Sequence, residues 1–129
     1  MDRLFERVGA AQKAMVAFNE VMEIDQPSSI ERDAAIQRFE FTFEAVWKAA
    51  KEFLFQHEGI DVGSPKGVIR SCREVGILSE DQAITALQMV DDRNLTLHTY
   101  NEKLAVEIYS RLRTYQTILS CLLEGVRSE

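Results

Sequence analysis

Phe39-Glu40-Phe41-Thr42-Phe43-Glu44 alternates aromatic and polar residues with period two, the pattern of a half-buried β-strand. The same residues also belong to a longer pattern. From Ile36 the apolar positions run through Phe39, Phe43, Val46, Ala50 and Phe53 at spacings of three and four, with Trp47 beside them. Neither Gly nor Pro interrupts this pattern over about 25 residues, a length that helices reach and strands do not. The longer pattern predicts helix. Ser28-Ser29-Ile30-Glu31 fits a capping box at its start, and Gly59 fits a C-cap at its end. On a helix, residues two apart point about 200° apart, so Phe41 lies across from Phe39 and Phe43. With Ala45 and Ala49 it makes a second, narrow apolar stripe. That stripe suits a neighbouring helix of the same bundle or another chain.

The rest of the chain reads in the same way. Leu4, Val8, Ala11, Met15, Phe18 and Met22 form one seam of an N-terminal helix that Pro27 and Ser28 end. Ser64-Pro65 reads as an N-cap followed by Pro at N1, opening a short helix that Gly76 closes. Ser79-Glu80-Asp81-Gln82 is a capping box for a helix that carries Ile84, Leu87 and Leu95 as its apolar positions. Thr99-Tyr100-Asn101-Glu102 reads as a third box, placing Tyr100 in the first turn of the last helix. The last seam is Leu104, Ile108, Leu112, Tyr115, Leu119 and Leu122. The expected fold is all-α: an antiparallel up-and-down bundle of four to five helices, three long and two shorter, with residues 1–129 forming one domain.

Composition narrows the function. Hydrophobic residues make up 46% and charged residues 28% of the 129, which is globular rather than disordered. A net charge of −6 argues against broad nucleic-acid coating, though not against a small basic pocket. Cys72 and Cys121 provide neither a disulfide framework nor metal-ligand spacing. With so few cysteines a reducing cytoplasm is the expected location; no run is long enough to span a membrane, and Met1–Arg7 has no signal-peptide layout. There is no Glu-x-x-His pair, no Gly-rich phosphate loop and no Gly-x-Ser-x-Gly elbow. Neither a metal nor a cofactor is expected.

The chemistry gathers in Asp91-Asp92-Arg93-Asn94-Leu95-Thr96-Leu97-His98-Thr99-Tyr100. Arg93 carries a planar guanidinium that suits phosphate oxygens, and His98 is a side chain able to carry a proton. In one unbroken helix, residues five apart diverge by about 140°. A break between them lets Arg93 and His98 converge on an anion, with Asn94 as a further donor. The plain alternative is an Arg that binds the last carbonyls of its helix beside a structural His. Asp91 and Asp92 read as solvated acids or partners of Arg93, and Glu44 and Lys48 as an i,i+4 pair. His57 beside Glu58 reads as surface.

Arg93, His98 and Tyr100 reproduce the Arg-x4-His-x-Tyr motif of the HEPN superfamily. The run Ile36–Lys48, Ser64-Pro65-Lys66 and the run Asp92–Glu102 resemble its nucleotidyltransferase substrate-binding branch. The resemblance extends over residues 30–115. It implies a helical bundle that pairs as a homodimer, and a separate minimal nucleotidyltransferase as partner. In its toxin form it implies a metal-independent ribonuclease toxin of a toxin–antitoxin pair, with Arg93 and His98 catalytic in the dimer cleft. Asn94 and Arg93 would bind the RNA or nucleotide. Tyr100 matches the tyrosine that receives AMP from the partner. The resemblance equally allows a non-catalytic subunit that presents a substrate or nucleotide to that enzyme.

Overall fold

The computed structural model describes residues 2–127. Among them it contains five helices, α1 (Arg3–Met22), α2 (Ser29–Glu58), α3 (Pro65–Glu74), α4 (Glu80–Leu95) and α5 (Glu102–Arg127), with a 3-10 turn at Thr96–His98 and no strand. They form an up-and-down bundle. α2 is the spine: α1 packs along it on one side and α5 on another. α3 and α4 pair with each other, α3 resting on α2 and α4 on α5.

The ambiguous aromatic stretch is helical and lies at the centre of the bundle. Phe39 is fully buried. Its ring meets Phe18 of α1 at 6.2 Å, Phe43 of its own helix at 6.3 Å, and Tyr115 of α5 at 5.6 Å between centroids. One side chain thus joins the three long helices, and its truncation to Ala would cost about 3–5 kcal/mol. Phe41 points away and is 61% exposed, as the helical geometry requires. Of the stripe it heads, Ala49 is buried and Ala45 half-buried. Thr42, fully buried, places its hydroxyl 2.7 Å from Arg38 O and 3.1 Å from Ala14 O, sharing one proton between its own helix and α1.

Local signals account for most helix ends. Ser28 and Ser79 cap α2 and α4 with reciprocal boxes closed by Glu31 and Gln82. Ser64 caps α3, with Pro65 at its first position. Gly59 adopts the left-handed conformation (φ 68°), and its N–H and that of Ile60 both donate to Leu54 O. Gly76 (φ 87°) turns the chain after α3. Arg113 of α5 donates to Met22 O at 2.8 Å, setting a cation on the carbonyl end of α1.

Two expectations fail. α4 buries Ala83, Ala86, Met89 and Val90, whereas Ile84 is 62% exposed, Leu95 40% exposed and Leu87 only half-buried. Small alanines let α4 approach its neighbours closely, so the inward face is set by fit rather than by the largest apolar side chains. The third capping box does not form either. Asn101, not Thr99, caps α5, accepting from Leu104 N at 3.1 Å. Thr99 instead donates to Thr96 O at 2.9 Å. Tyr100 therefore lies in the turn before α5, and is 85% exposed.

Candidate functional site

The predicted site residues occupy the last turn of α4, the 3-10 turn and the entry to α5. Three consecutive side chains, each about 100° further round the helix, reach three different helices. Asp91 pairs with Lys66 of α3 at 2.8 Å. Asp92 turns inward to α5 and is buried. It accepts from Arg111 Nε at 2.6 Å and Nη2 at 3.0 Å, and from Tyr115 Oη at 2.5 Å. Arg93 turns to α2, where Nη2 donates to Glu44 Oε1 at 3.2 Å. The two acids are thus neither simply solvated nor partners of Arg93, because side chains adjacent in sequence diverge on a helix.

Asp92 is a buried carboxylate paired on both oxygens. Burial and the bond to Asp92 push the Tyr115 phenol well above its ordinary range. The bond to the same carboxylate raises the Arg111 guanidinium further still. Asp92 is therefore held between a permanent cation and a protonated phenol, and its role is to fix α4 on α5.

The Arg93 side is different. Its side chain is 31% exposed, and it holds Glu44 by one bond only. Its Nε is buried and has no partner. Glu44 is shared: Trp47 Nε1 donates to Oε1 at 3.2 Å, and Lys48 Nζ lies 3.4 Å from Oε2. The i,i+4 pair expected of Glu44 and Lys48 forms, but sequence reasoning missed Arg93 as the carboxylate's third partner. The only available signal was an acid one turn before Trp47, with no hint of a cation 49 positions on.

The break after α4 forms as expected. Thr96, buried, donates to Arg93 O at 2.7 Å and closes the last turn. Leu97 (76% exposed), His98 and Tyr100 follow at the surface, and Asn94 is exposed. The His98 and Tyr100 rings meet edge-on at 6.0 Å. His98 and Tyr100 are thus brought together, while Arg93 is drawn towards α2 and makes no hydrogen bond to His98 among the described residues. No cluster of metal-ligating residues occurs among the described residues. Burial pushes the Cys72 thiol up to about 12, so it remains protonated and is no nucleophile near neutrality.

A five-helix bundle with Arg-x4-His-x-Tyr at the break after its fourth helix defines a protein of the HEPN and nucleotidyltransferase substrate-binding superfamily. Within it, the chain belongs to the family described as nucleotidyltransferase substrate binding protein like, whose model matches residues 6–128. It is 30% identical over 125 residues to a Haemophilus influenzae protein named probable ribonuclease HepT, covering 90% of this chain and 84% of that one. A crystal structure from Thermus thermophilus superposes with a TM-score of 0.87 at 52% identity, covering 91% of this chain and 98% of the other. A second structure, from H. influenzae and described as revealing the fold of a substrate binding domain of a nucleotidyltransferase, matches in fold with a TM-score of 0.67 at 23% identity over 96% of each chain.

Proposed function

We propose that this chain, acting as one HEPN-type domain over residues 1–129, is the toxin of a pair with a minimal nucleotidyltransferase in the cytoplasm. It works as a symmetric homodimer that cleaves RNA without a metal. The observation that carries the reading is the presentation of the motif. His98 and Tyr100 stand exposed on a break that sequence alone predicts, beside an arginine with unused donors. The relative named a probable ribonuclease supports it.

One Arg and one His make a thin site, so two copies across a two-fold axis complete it. A neutral His98 takes the proton of the RNA 2′-OH. The 2′-oxygen attacks the adjacent phosphorus, and the bond to the 5′-oxygen breaks. His98 of the second copy, protonated, returns a proton to that oxygen. A 2′,3′-cyclic phosphate and a 5′-hydroxyl result. Arg93 neutralises the phosphorane oxygens by charge-assisted hydrogen bonds, with Asn94 as a further donor. The partner enzyme silences the site by transferring AMP from ATP to the Tyr100 oxygen, releasing pyrophosphate. The new phosphate occupies Arg93, where RNA phosphate must bind.

The test is to incubate the purified chain with RNA, then with the partner, ATP and Mg²⁺. The expected result is cleavage that Arg93→Ala or His98→Ala abolishes, and one adenylyl adduct mapping to Tyr100 by mass spectrometry. Equal cleavage by the variants removes the catalytic assignment. An unmodified Tyr100 removes the silencing mechanism. A second reading, a non-catalytic subunit presenting a nucleotide to the partner, is favoured by the bond of Arg93 to Glu44 rather than to His98. Nucleotide binding without RNA cleavage would select it.

A further inference from the structure

We infer that Glu44 is the positioning residue of Arg93, an assignment that rests on the ribonuclease function proposed above. Three observations carry it. First, the Glu44 carboxylate has two partners on its own helix besides Arg93. Trp47 and Lys48, three and four residues on, sit one turn away on the same face of α2 and hold its two oxygens separately. Trp47 packs against the hydrophobic core, so a line of contacts runs from the core through its indole N–H to Glu44 and then to the guanidinium.

Second, Glu44 takes only one terminal nitrogen of Arg93. A guanidinium and a carboxylate left to themselves prefer a parallel two-bond fork. Here Lys48 draws the second oxygen away, and Arg93 Nε remains without a partner. The grip orients the side chain while leaving its other donors unspent.

Third, the charges do not cancel. One carboxylate stands between two cations, Arg93 and Lys48, so the group keeps a net positive charge. Phosphate is still attracted, and Glu44 contributes geometry at little electrostatic cost. A second carboxylate on Arg93 would have silenced it. The nearby acid Asp92 is instead neutralised by Arg111, with Tyr115 adding a hydrogen bond.

The experiment measures steady-state cleavage of an oligoribonucleotide by the full chain and by its Glu44→Ala, Glu44→Asp, Glu44→Gln and Arg93→Ala variants, with thermal melts alongside. Glu44→Asp keeps the charge and withdraws it by one methylene, so it tests position without risking the fold. Glu44→Ala and Glu44→Asp are expected to lower kcat about tenfold to a hundredfold with KM unchanged or lower, since a 1 Å misplacement costs that much. Glu44→Gln keeps an acceptor for Arg93 and Trp47 and is expected to recover most of kcat. Wild-type kcat in Glu44→Asp, or a Glu44→Gln as slow as Glu44→Ala, would overturn the assignment. If wild type cleaves, Arg93→Ala is dead and Glu44→Asp runs at full speed, only the positioning role falls. If neither wild type nor Arg93→Ala cleaves any RNA, the ribonuclease reading falls and takes the positioning role with it.

Discussion

Asp92 and Arg93 are neighbours in sequence and opposites in environment. Asp92 is buried, and both of its carboxylate oxygens accept from Arg111 or Tyr115. Arg93 is partly exposed, singly bonded, and keeps a buried nitrogen without a partner. Buried polar groups in folded proteins are nearly always satisfied, so the paired Asp92 cluster reads as architecture, while the unpaired Arg93 nitrogen calls for a role of its own. One turn of α4 therefore holds the fold on one side and the proposed chemistry on the other.

The sharpest test separates the two sides by readout. His98→Ala is expected to lower RNA cleavage by about 10²–10⁴-fold, as removal of a general acid–base does. It should move stability by less than about 0.5 kcal/mol, because His98 is an exposed side chain. A comparable shift in the denaturant midpoint would break the division.

Asp92→Ala should show the reverse. It strands the buried Tyr115 phenol and frees the partly exposed Arg111, and is expected to cost about 1–3 kcal/mol, read by urea unfolding. A variant of wild-type stability would show that the cluster is ornamental. Asp92→Asn, which keeps an acceptor, should lose less than Asp92→Ala.

Alkali probes the same side. The Tyr115 phenol and Cys72 thiol both have folded pKa values raised above their ordinary values of 10.0 and 9.0, Cys72 to about 12. Each group therefore binds its proton more tightly folded than unfolded. Its stabilisation is complete below the ordinary value and is lost as pH rises above it. Stability should begin to fall near pH 9 with Cys72 and steepen above 10 with Tyr115, by at most about 1.4 kcal/mol per pH unit for each group. A Cys72→Ala variant with an unchanged slope between pH 9 and 10 would contradict this.

The smallest effect concerns the segment that joins the two sides. Asn101→Ala should cost about 1 kcal/mol by uncapping α5. Thr99→Ala should cost less, since Thr99 bonds only a local carbonyl. The opposite order in thermal melts would restore Thr99 as the cap.

What the sequence disclosed follows the range of the interactions. The capping boxes of α2 and α4, Pro at N1 and the α2 seam are local or periodic, and they were legible. So was the break after α4. The inward face of α4 was not, because Ala83 and Ala86 carry little hydrophobic signal while setting how closely helices pack. Thr99 and Asn101 both have capping side chains, and only the folded turn chooses between them. The partners of Asp91, Asp92 and Arg93 were illegible for a different reason. Lys66, Arg111 and Glu44 lie on three helices distant in sequence, and no local pattern encodes such pairings.

That three-way pairing constrains how the gene can drift. Inserting or deleting one residue in α4 upstream of Asp91 would rotate the turn by about 100° and slide it by about 1.5 Å. Asp91 would lose Lys66, Asp92 would lose Arg111 and Tyr115, and Arg93 would lose Glu44 in a single event. Substitutions can be tested one at a time, but a change of length cannot. Length variation among relatives should therefore collect in residues 59–64 and 75–79, between the helices, and leave the count from Ser79 to Arg93 untouched.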